Sequence, residues 1–259
     1  MDLKDVYDFS YQYLLKKVAG YLTKEQIDKM ISCPDINREE ITLQSAYSLM
    51  LSMLQDFSRY SNVINYKSHS EKIKDILHDY DLGYISTLDP SNLLDSFKKK
   101  FKFEKDTMWM RYSKGVVSGA RFMIKFKDTN EFITTLDSFD QSDMARIAFA
   151  LYLSKAIDNM GFAVACNWLK ELGYFNYAKP DIHTKDVCDA LGLASKTNDL
   201  DCFEAIGKVA REAGVKAYSV DKVWWLICTG NLYRYEIKLP NPIKTKRDFI
   251  SELKSKFIC

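Results

Sequence analysis

At 259 residues the chain is long enough for one large domain or two small ones with a real core. Its composition, 47% hydrophobic and 28% charged, is that of an ordinary soluble globular protein. A net charge of +2 excludes any reading of nucleic-acid binding from bulk charge, no apolar run reaches membrane-spanning length, and the opening MDLKDVYDF is too polar and acidic for a signal peptide.

Residues 3–31 read as one or two helices with Leu14, Leu15, Val18 and Leu22 on one face. The stretch 43–57 is strongly helical, because Leu43, Ala46, Tyr47, Met50, Met53, Leu54 and Phe57 recur at spacings of three and four. A short helix is expected over 71–80. Another starts at Pro90-Ser91-Asn92 and carries Leu93, Leu94, Phe97 and Phe101.

Residues 106–127 are ambiguous. Phe122, Ile124 and Phe126 alternate with charges as in a strand, yet the neighbouring segments are helical, and Gly115 and Gly119 weaken either choice; the expectation is helices joined by a loop. Local charge is strong here, since residues 98–127 carry a net +8, beginning with Lys98, Lys99 and Lys100. Such a run fits a DNA track and an ordinary solvated face almost equally.

Asp128-Thr129-Asn130 can cap a helix bearing Phe132, Ile133 and Leu136. A mostly apolar helix follows over 144–157, with Ile147, Ala148 and Leu151 on one face, then the turn 158–161. A second helix, 162–172, places Phe162, Ala165, Cys166, Leu169 and Leu172 at helical spacing, and Gly173 ends it. A loop through Lys179-Pro180 reaches Asp181 and a third helix. Further helices are expected over 202–211, 220–229 and 246–257, with Ser219 capping and Gly230 closing the second, and Thr245 with Asp248 forming a capping box for the third. Lys244, Lys246, Arg247, Lys254 and Lys256 form a second basic group. No repeat, low-complexity tract or sustained series of strands occurs, so the fold class is all-α.

The stretch 155–192 carries the most specific signal. Its hairpin reads Ile157-Asp158-Asn159-Met160-Gly161-Phe162-Ala163-Val164-Ala165, and its second motif Pro180-Asp181-Ile182-His183. This pair resembles the helix-hairpin-helix DNA glycosylase superfamily, whose hairpin reads roughly L-x-G-V-G-x-K/S-x-A and whose V-D-x-H carries a catalytic Asp. Two departures stand out. Asn159 replaces the first hairpin Gly, a mild change because Asn tolerates the left-handed conformation best after Gly. Ala163 stands where bifunctional members carry a Schiff-base Lys.

The resemblance implies two helical lobes with a cleft between them: residues from about 90 to 192 as a bundle ending in the hairpin and catalytic Asp, and 1–89 with 193–259 as the second lobe. It implies a monofunctional DNA N-glycosylase acting on double-stranded DNA as a monomer, cleaving the bond to a flipped modified or damaged base and leaving an abasic site. Oxidised or alkylated purines and mismatched pyrimidines are the family's usual substrates; relatives acting in anti-phage defence take glucosylated hydroxymethylcytosine. The rival reading is a helical DNA-binding or regulatory module that kept the hairpin without the chemistry.

Asp181 is the expected catalytic residue. Breaking an N-glycosidic bond builds positive charge on the deoxyribose, which a nearby carboxylate stabilises while accepting a proton from attacking water. An Asp before Thr184 is also a good N-cap, and one carboxylate can do both. His183 reads as a structural neighbour rather than a general base. At the hairpin, Asn159, Met160, Gly161 and Phe162 present backbone amides suited to a phosphate oxygen, and family members commonly hold a monovalent cation on this backbone. A plain helical hairpin with a glycine explains the same residues without DNA. Gln55, Asp56 and Arg59 lie where the family presses side chains into the duplex, though a solvated helix end fits them too. A flipped base needs aromatic or apolar walls, for which Trp109, Tyr112, Trp168 and Trp224 are candidates, each also a natural core residue. Adjacent Trp224 and Trp225 cannot share one helical face. The six cysteines have neither CxxC spacing nor the close spacing of the family's iron–sulfur members. No cluster, cofactor or side-chain metal site is therefore expected, and the thiols fit a reduced, cytoplasmic setting.

Overall fold

A computed structural model describes residues 1–56 and 61–258, and the side chains of all of these except 61 and 62. Among them the chain is all-α, as the periodicity implied; one antiparallel pair of two-residue strands, β1 (Asn231–Leu232) and β2 (Ile237–Lys238), is its only sheet. No described helix is long and apolar enough to cross a membrane. The chain forms two compact units, Ile36–Leu172 and Met1–Asp35 with Gly173–Cys259.

The terminal unit begins with α1 (Leu3–Val18), capped by Asp2, and α2 (Lys24–Ile31), which opens with a capping box of Thr23 and Gln26. The middle unit then runs through α3 (Leu43–Leu54), α4 (Ser61–Ile64), α5 (Tyr66–Ile76), α6 (Leu82–Thr87), α7 (Pro90–Phe101), α8 (Asp106–Met123), α9 (Thr129–Phe139), α10 (Asp143–Ala156) and α11 (Phe162–Glu171). The terminal unit resumes with α12 (Ile182–Ala190), α13 (Asp199–Ala213), α14 (Ala217–Thr229) and α15 (Pro242–Phe257).

In the middle unit α8 is the axis, packed by α3, α6, α7 and α10. It is a single uninterrupted helix, not two helices with a loop, and Phe122 and Ile124 lie at its C-terminal end rather than on a strand. Gly115 and Gly119 are compatible with the helix because each admits a neighbour that a side chain would exclude. A Cβ on Gly119 would come within 2.9 Å of Met50 Sδ in α3, and one on Gly115 within 2.8 Å of the Asp158 carbonyl. The propensity cost of two mid-helix glycines is thus offset by close packing.

In the terminal unit α14 is the central helix, surrounded by α1, α2, α12, α13 and α15 and buried on nearly all sides. Its polar atoms find partners inside: Trp224 Nε1 donates to Ser10 Oγ at 3.1 Å, and Ser10 Oγ in turn to the Val6 carbonyl.

Several local expectations change. The units divide at 35/36 and 172/173, not at about 90 and 192: α3 and α5 pack with α7 and α8, while α12 packs with α13, α14 and α15. Gly230, at φ +61°, closes α14 as expected, but that helix starts before Ser219, and α15 starts at Pro242, before the Thr245 box. The apolar α10 buries Arg146, Phe149, Ala150 and Leu153, whereas Ala148 and Leu151 face solvent. A helix apolar on most of its circumference does not choose a face by periodicity. Here Arg146 decides it, its guanidinium bonded to Asp140 and Asp143 at 2.5 and 2.8 Å. The helix expected over 71–80 begins earlier, at Tyr66, and ends in a left-handed turn at His78, Asp79 and Tyr80, held by a 2.7 Å bond between the Tyr66 and Tyr80 hydroxyls.

Gly115→Ala should be destabilising by about 1–3 kcal/mol despite the better helix propensity of Ala, because the obstacle is a backbone carbonyl. Chemical denaturation checks this; a midpoint at or above wild type would show that α8 and the hairpin can separate freely.

Candidate functional site

The hairpin between α10 and α11 is held from behind by the middle unit. The Asp158 amide donates to Ser118 Oγ at 2.8 Å, and Asn159 Nδ2 donates to the Leu54 carbonyl at 3.3 Å. Asn159 takes the left-handed conformation, φ +66°, so it fills the glycine's conformational role and adds a bond that glycine lacks. Met160 is buried and points into the core. Gly161 is exposed with an ordinary extended backbone, φ −75° and ψ 165°, and a Cβ there would meet nothing within 4 Å. Its lack of side chain therefore serves no internal packing. Gly161 is the N-cap of α11 and accepts from Val164 and Ala165 through its carbonyl, while no side chain caps that helix. An uncapped helix N-terminus opening on an exposed glycine is chemically suited to an anion.

The other residues singled out in the middle unit are more committed. Gln55 Oε1 accepts from the Tyr66 amide at 2.8 Å, which ties it to the start of α5; Asp56 is exposed, and Arg59 lies outside the described residues. Trp109, Tyr112 and Trp168 are core residues rather than pocket walls. Trp109 stacks among Phe101 and Phe103, Tyr112 donates to the Leu51 carbonyl, and Trp168 Nε1 donates to that of Ala46. Trp224 is likewise fully buried in its own unit, and Trp225, as its neighbour's burial requires, is the one partly exposed. Parts of the basic run are engaged as well: Lys98 pairs with Asp106 and Lys100 with Asp75, each at 2.9 Å, while Arg121 caps the end of α6 through the Ser86 and Leu88 carbonyls.

Asp181 lies in the terminal unit as the N-cap of α12. Its Oδ1 accepts from the His183 amide at 2.8 Å, the Thr184 amide at 3.1 Å and, more weakly, Thr184 Oγ1 at 3.4 Å. Among the described residues no bond falls on Oδ2. The carboxylate is half-buried, and Thr184, fully buried, also donates to the Lys179 carbonyl at 3.0 Å, which fixes the loop leading into the cap.

His183 and a long-range partner complete this site. Lys246 Nζ, on α15, lies 3.2 Å from His183 Nδ1 and pairs with Asp186 Oδ2; Asp186 also pairs with Lys196 at 3.1 Å. Burial holds the His183 imidazole below its ordinary value of 6.5; Asp181 and Asp186 pull it up, and Lys246 and Lys179 push it further down. Asp186 is held low by its two lysines despite its burial, which works the other way. Cys228, on α14, is pushed up to about 12 by burial and feels the charges of Lys246, Asp181 and Asp186. The sequence marked Lys246 only as one of a basic group, and Asp186 not at all. Their pairing joins residues 60 apart in the chain, which no local pattern reveals. No group of three or more His, Cys, Asp or Glu side chains that could hold a metal occurs among the described residues.

No family model and no curated relative matches the chain. A solved structure does: the crystal structure of Methanocaldococcus jannaschii 8-oxoguanine glycosylase/lyase in complex with a 15mer DNA containing 8-oxoguanine. The two are 16% identical, and the match covers 82% of this chain and 94% of that one with a TM-score of 0.52. At that identity the likeness is one of fold: the chain has a helix-hairpin-helix glycosylase-like fold.

Asn159→Ala should cost about 1–2 kcal/mol through the left-handed backbone, with the lost bond to Leu54 adding to it. Asn159→Gly should stay closer to wild type. Equal thermal midpoints for the two variants would show that the turn does not depend on φ at this residue.

Proposed function

We propose that the chain is a DNA N-glycosylase acting on double-stranded DNA, with Asp181 as its catalytic residue. The observation that carries this reading is the division of labour on the Asp181 carboxylate. Oδ1 is spent on the α12 cap, whereas Oδ2 accepts no bond among the described residues. The cap fixes the group's direction without consuming the oxygen that chemistry would use. The glycosylase-like fold, the hairpin and its exposed glycine support the same reading.

The base must first leave the stack. As the N-glycosidic bond breaks, its electron pair goes to the departing base and positive charge grows on the sugar. Asp181 stabilises that charge and accepts a proton from the water whose oxygen bonds to C1′; solvent supplies the proton for the base. Ala163 offers no amine for an imine, so the product is an abasic site in an intact strand. The named neighbour is a glycosylase/lyase; this chain is proposed to keep only the first activity. The substrate is a modified or damaged base, and the panel to test spans oxidised and alkylated purines, mismatched pyrimidines and the glucosylated hydroxymethylcytosine of phage DNA.

With a substrate found, Asp181→Asn should abolish base release and leave DNA affinity within a few-fold, since the amide still caps α12 through its oxygen. Borohydride added during wild-type turnover should trap no protein–DNA adduct. Single-turnover excision by Asp181→Asn within tenfold of wild type would place the chemistry elsewhere.

Gly161→Val separates DNA contact from folding. The backbone angles at 161 suit Val and a Cβ there meets nothing within 4 Å, so stability should stay within about 1 kcal/mol of wild type. DNA affinity should fall by about 1–3 kcal/mol if one or two charge-assisted bonds to phosphate are broken. Excision at saturating protein should partly recover, whereas a binding-only module has none to recover. Unchanged affinity would take the hairpin out of the interface.

A further inference from the structure

The Lys246 amine sits between two side chains of α12, His183 and Asp186. It is a semi-buried ion pair, with the Lys246 and Asp186 side chains only 19% and 20% exposed. An ammonium carries three donors and no acceptor. The nitrogen of His183 that faces it at 3.2 Å, Nδ1, must therefore offer a lone pair, and the single ring proton belongs to Nε2. We infer that Lys246 is a positioning residue that holds His183 as the neutral, Nε2-protonated imidazole beside Asp181. This rests on the reading of Asp181 as the catalytic carboxylate.

Two consequences follow for the chemistry. A ring with Nδ1 occupied and Nε2 protonated has no site to take a proton from water, which leaves that task to Asp181. A neutral ring also leaves the Asp181 charge uncompensated, available to the cationic sugar; an imidazolium two residues away would repel that same developing charge. The groups facing the ring come from every side. α12 contributes Asp181 and Asp186, the preceding loop Lys179, and α15 Lys246, while Cys228 of α14 lies in the same field. Burial does most to keep the proton off; Asp181 and Asp186 invite it, and Lys246 with Lys179 opposes them. Removing the Lys246 charge tips that balance toward protonation.

The test uses the full chain and three histidines, His69, His78 and His183, with His183→Gln to assign the signals. Long-range nitrogen–proton correlation on the neutral ring should show His183 Nδ1 unprotonated and Nε2 protonated. In Lys246→Met the titration midpoint of His183 should rise by on the order of one pH unit. Lys246→Arg, which keeps a charged donor, should restore the wild-type tautomer and midpoint. Single-turnover base release by Lys246→Met should fall a few-fold at pH 6, a one-unit rise limiting the loss to less than tenfold, and should match wild type at pH 8.5, because only the protonated ring is harmful. A proton on Nδ1 in wild type overturns the inference, as does an unchanged titration in Lys246→Met or an equal loss of activity at both pH values. If Lys246→Met does not fold, the wild-type tautomer and Lys246→Arg still decide. His183 behaving as stated while no DNA on the panel loses a base would sink the glycosylase reading, and the positioning role with it, through the excision assay alone.

Discussion

The middle unit depends on a close approach between two stretches of backbone, α8 at Gly115 and the hairpin at Asp158. A helix and a turn can come this near only where one of them has no Cβ. That nearness brings Ser118, one turn further along α8, within bonding range of the Asp158 amide, and brings the end of α3 within range of Asn159. The turn's inward polar groups are thus satisfied by helices behind it, and a left-handed residue can be held there at little net cost. What remains outward is Gly161 and the uncapped start of α11. The hairpin faces solvent with the groups that the protein itself does not need.

The terminal unit applies a related economy to a carboxylate. A helix N-terminus requires one acceptor, which Ser, Thr or Asn supplies as well as Asp. With Asp181 the cap leaves a second oxygen and a charge over. The same helix then carries His183 in its first turn and Asp186 in its second, and α15 closes the arrangement by placing Lys246 between them. α14, buried almost throughout, is the surface on which α12 and α15 are both packed, so the geometry of these charges is set by an apolar core.

The legible part of this fold was its local chemistry. The α11 residues Phe162, Ala165, Cys166, Leu169 and Leu172 are all buried, as their spacing required, and Asp128, Gly173 and Gly230 act as the punctuation they spelled. Asp181 was legible both as a cap and as part of a motif. Whatever depended on partners distant in sequence was not. Glycines in α8 looked like breaks because the helix and carbonyl that use them lie far along the chain. The direction of α10 was hidden by its nearly uniform apolarity until Arg146 met Asp140. The large aromatics looked like candidate pocket walls, since composition alone does not distinguish a buried ring from an exposed one; their hydrogen bonds to Leu51, Ala46 and Ser10 place them in cores. Lys246 was one lysine of a basic group, and nothing local linked it to His183.

That last pairing also bears on the choice between hydrolysis and strand cleavage. Cleavage through an imine needs a primary amine with a lone pair to give, and Ala163 supplies none at the hairpin. Lys246 is an amine beside α12, but its donors are directed at Asp186 and His183. To act as a nucleophile it would have to abandon both bonds, leaving Asp186 with Lys196 as its remaining partner and freeing His183 Nδ1 to take a proton next to Asp181. If Asp181 acts as proposed, the arrangement that would make Lys246 reactive is the one that would compensate the carboxylate's charge. On the proposed reading the two chemistries therefore compete for one lysine, and the ion pair with Asp186 favours hydrolysis.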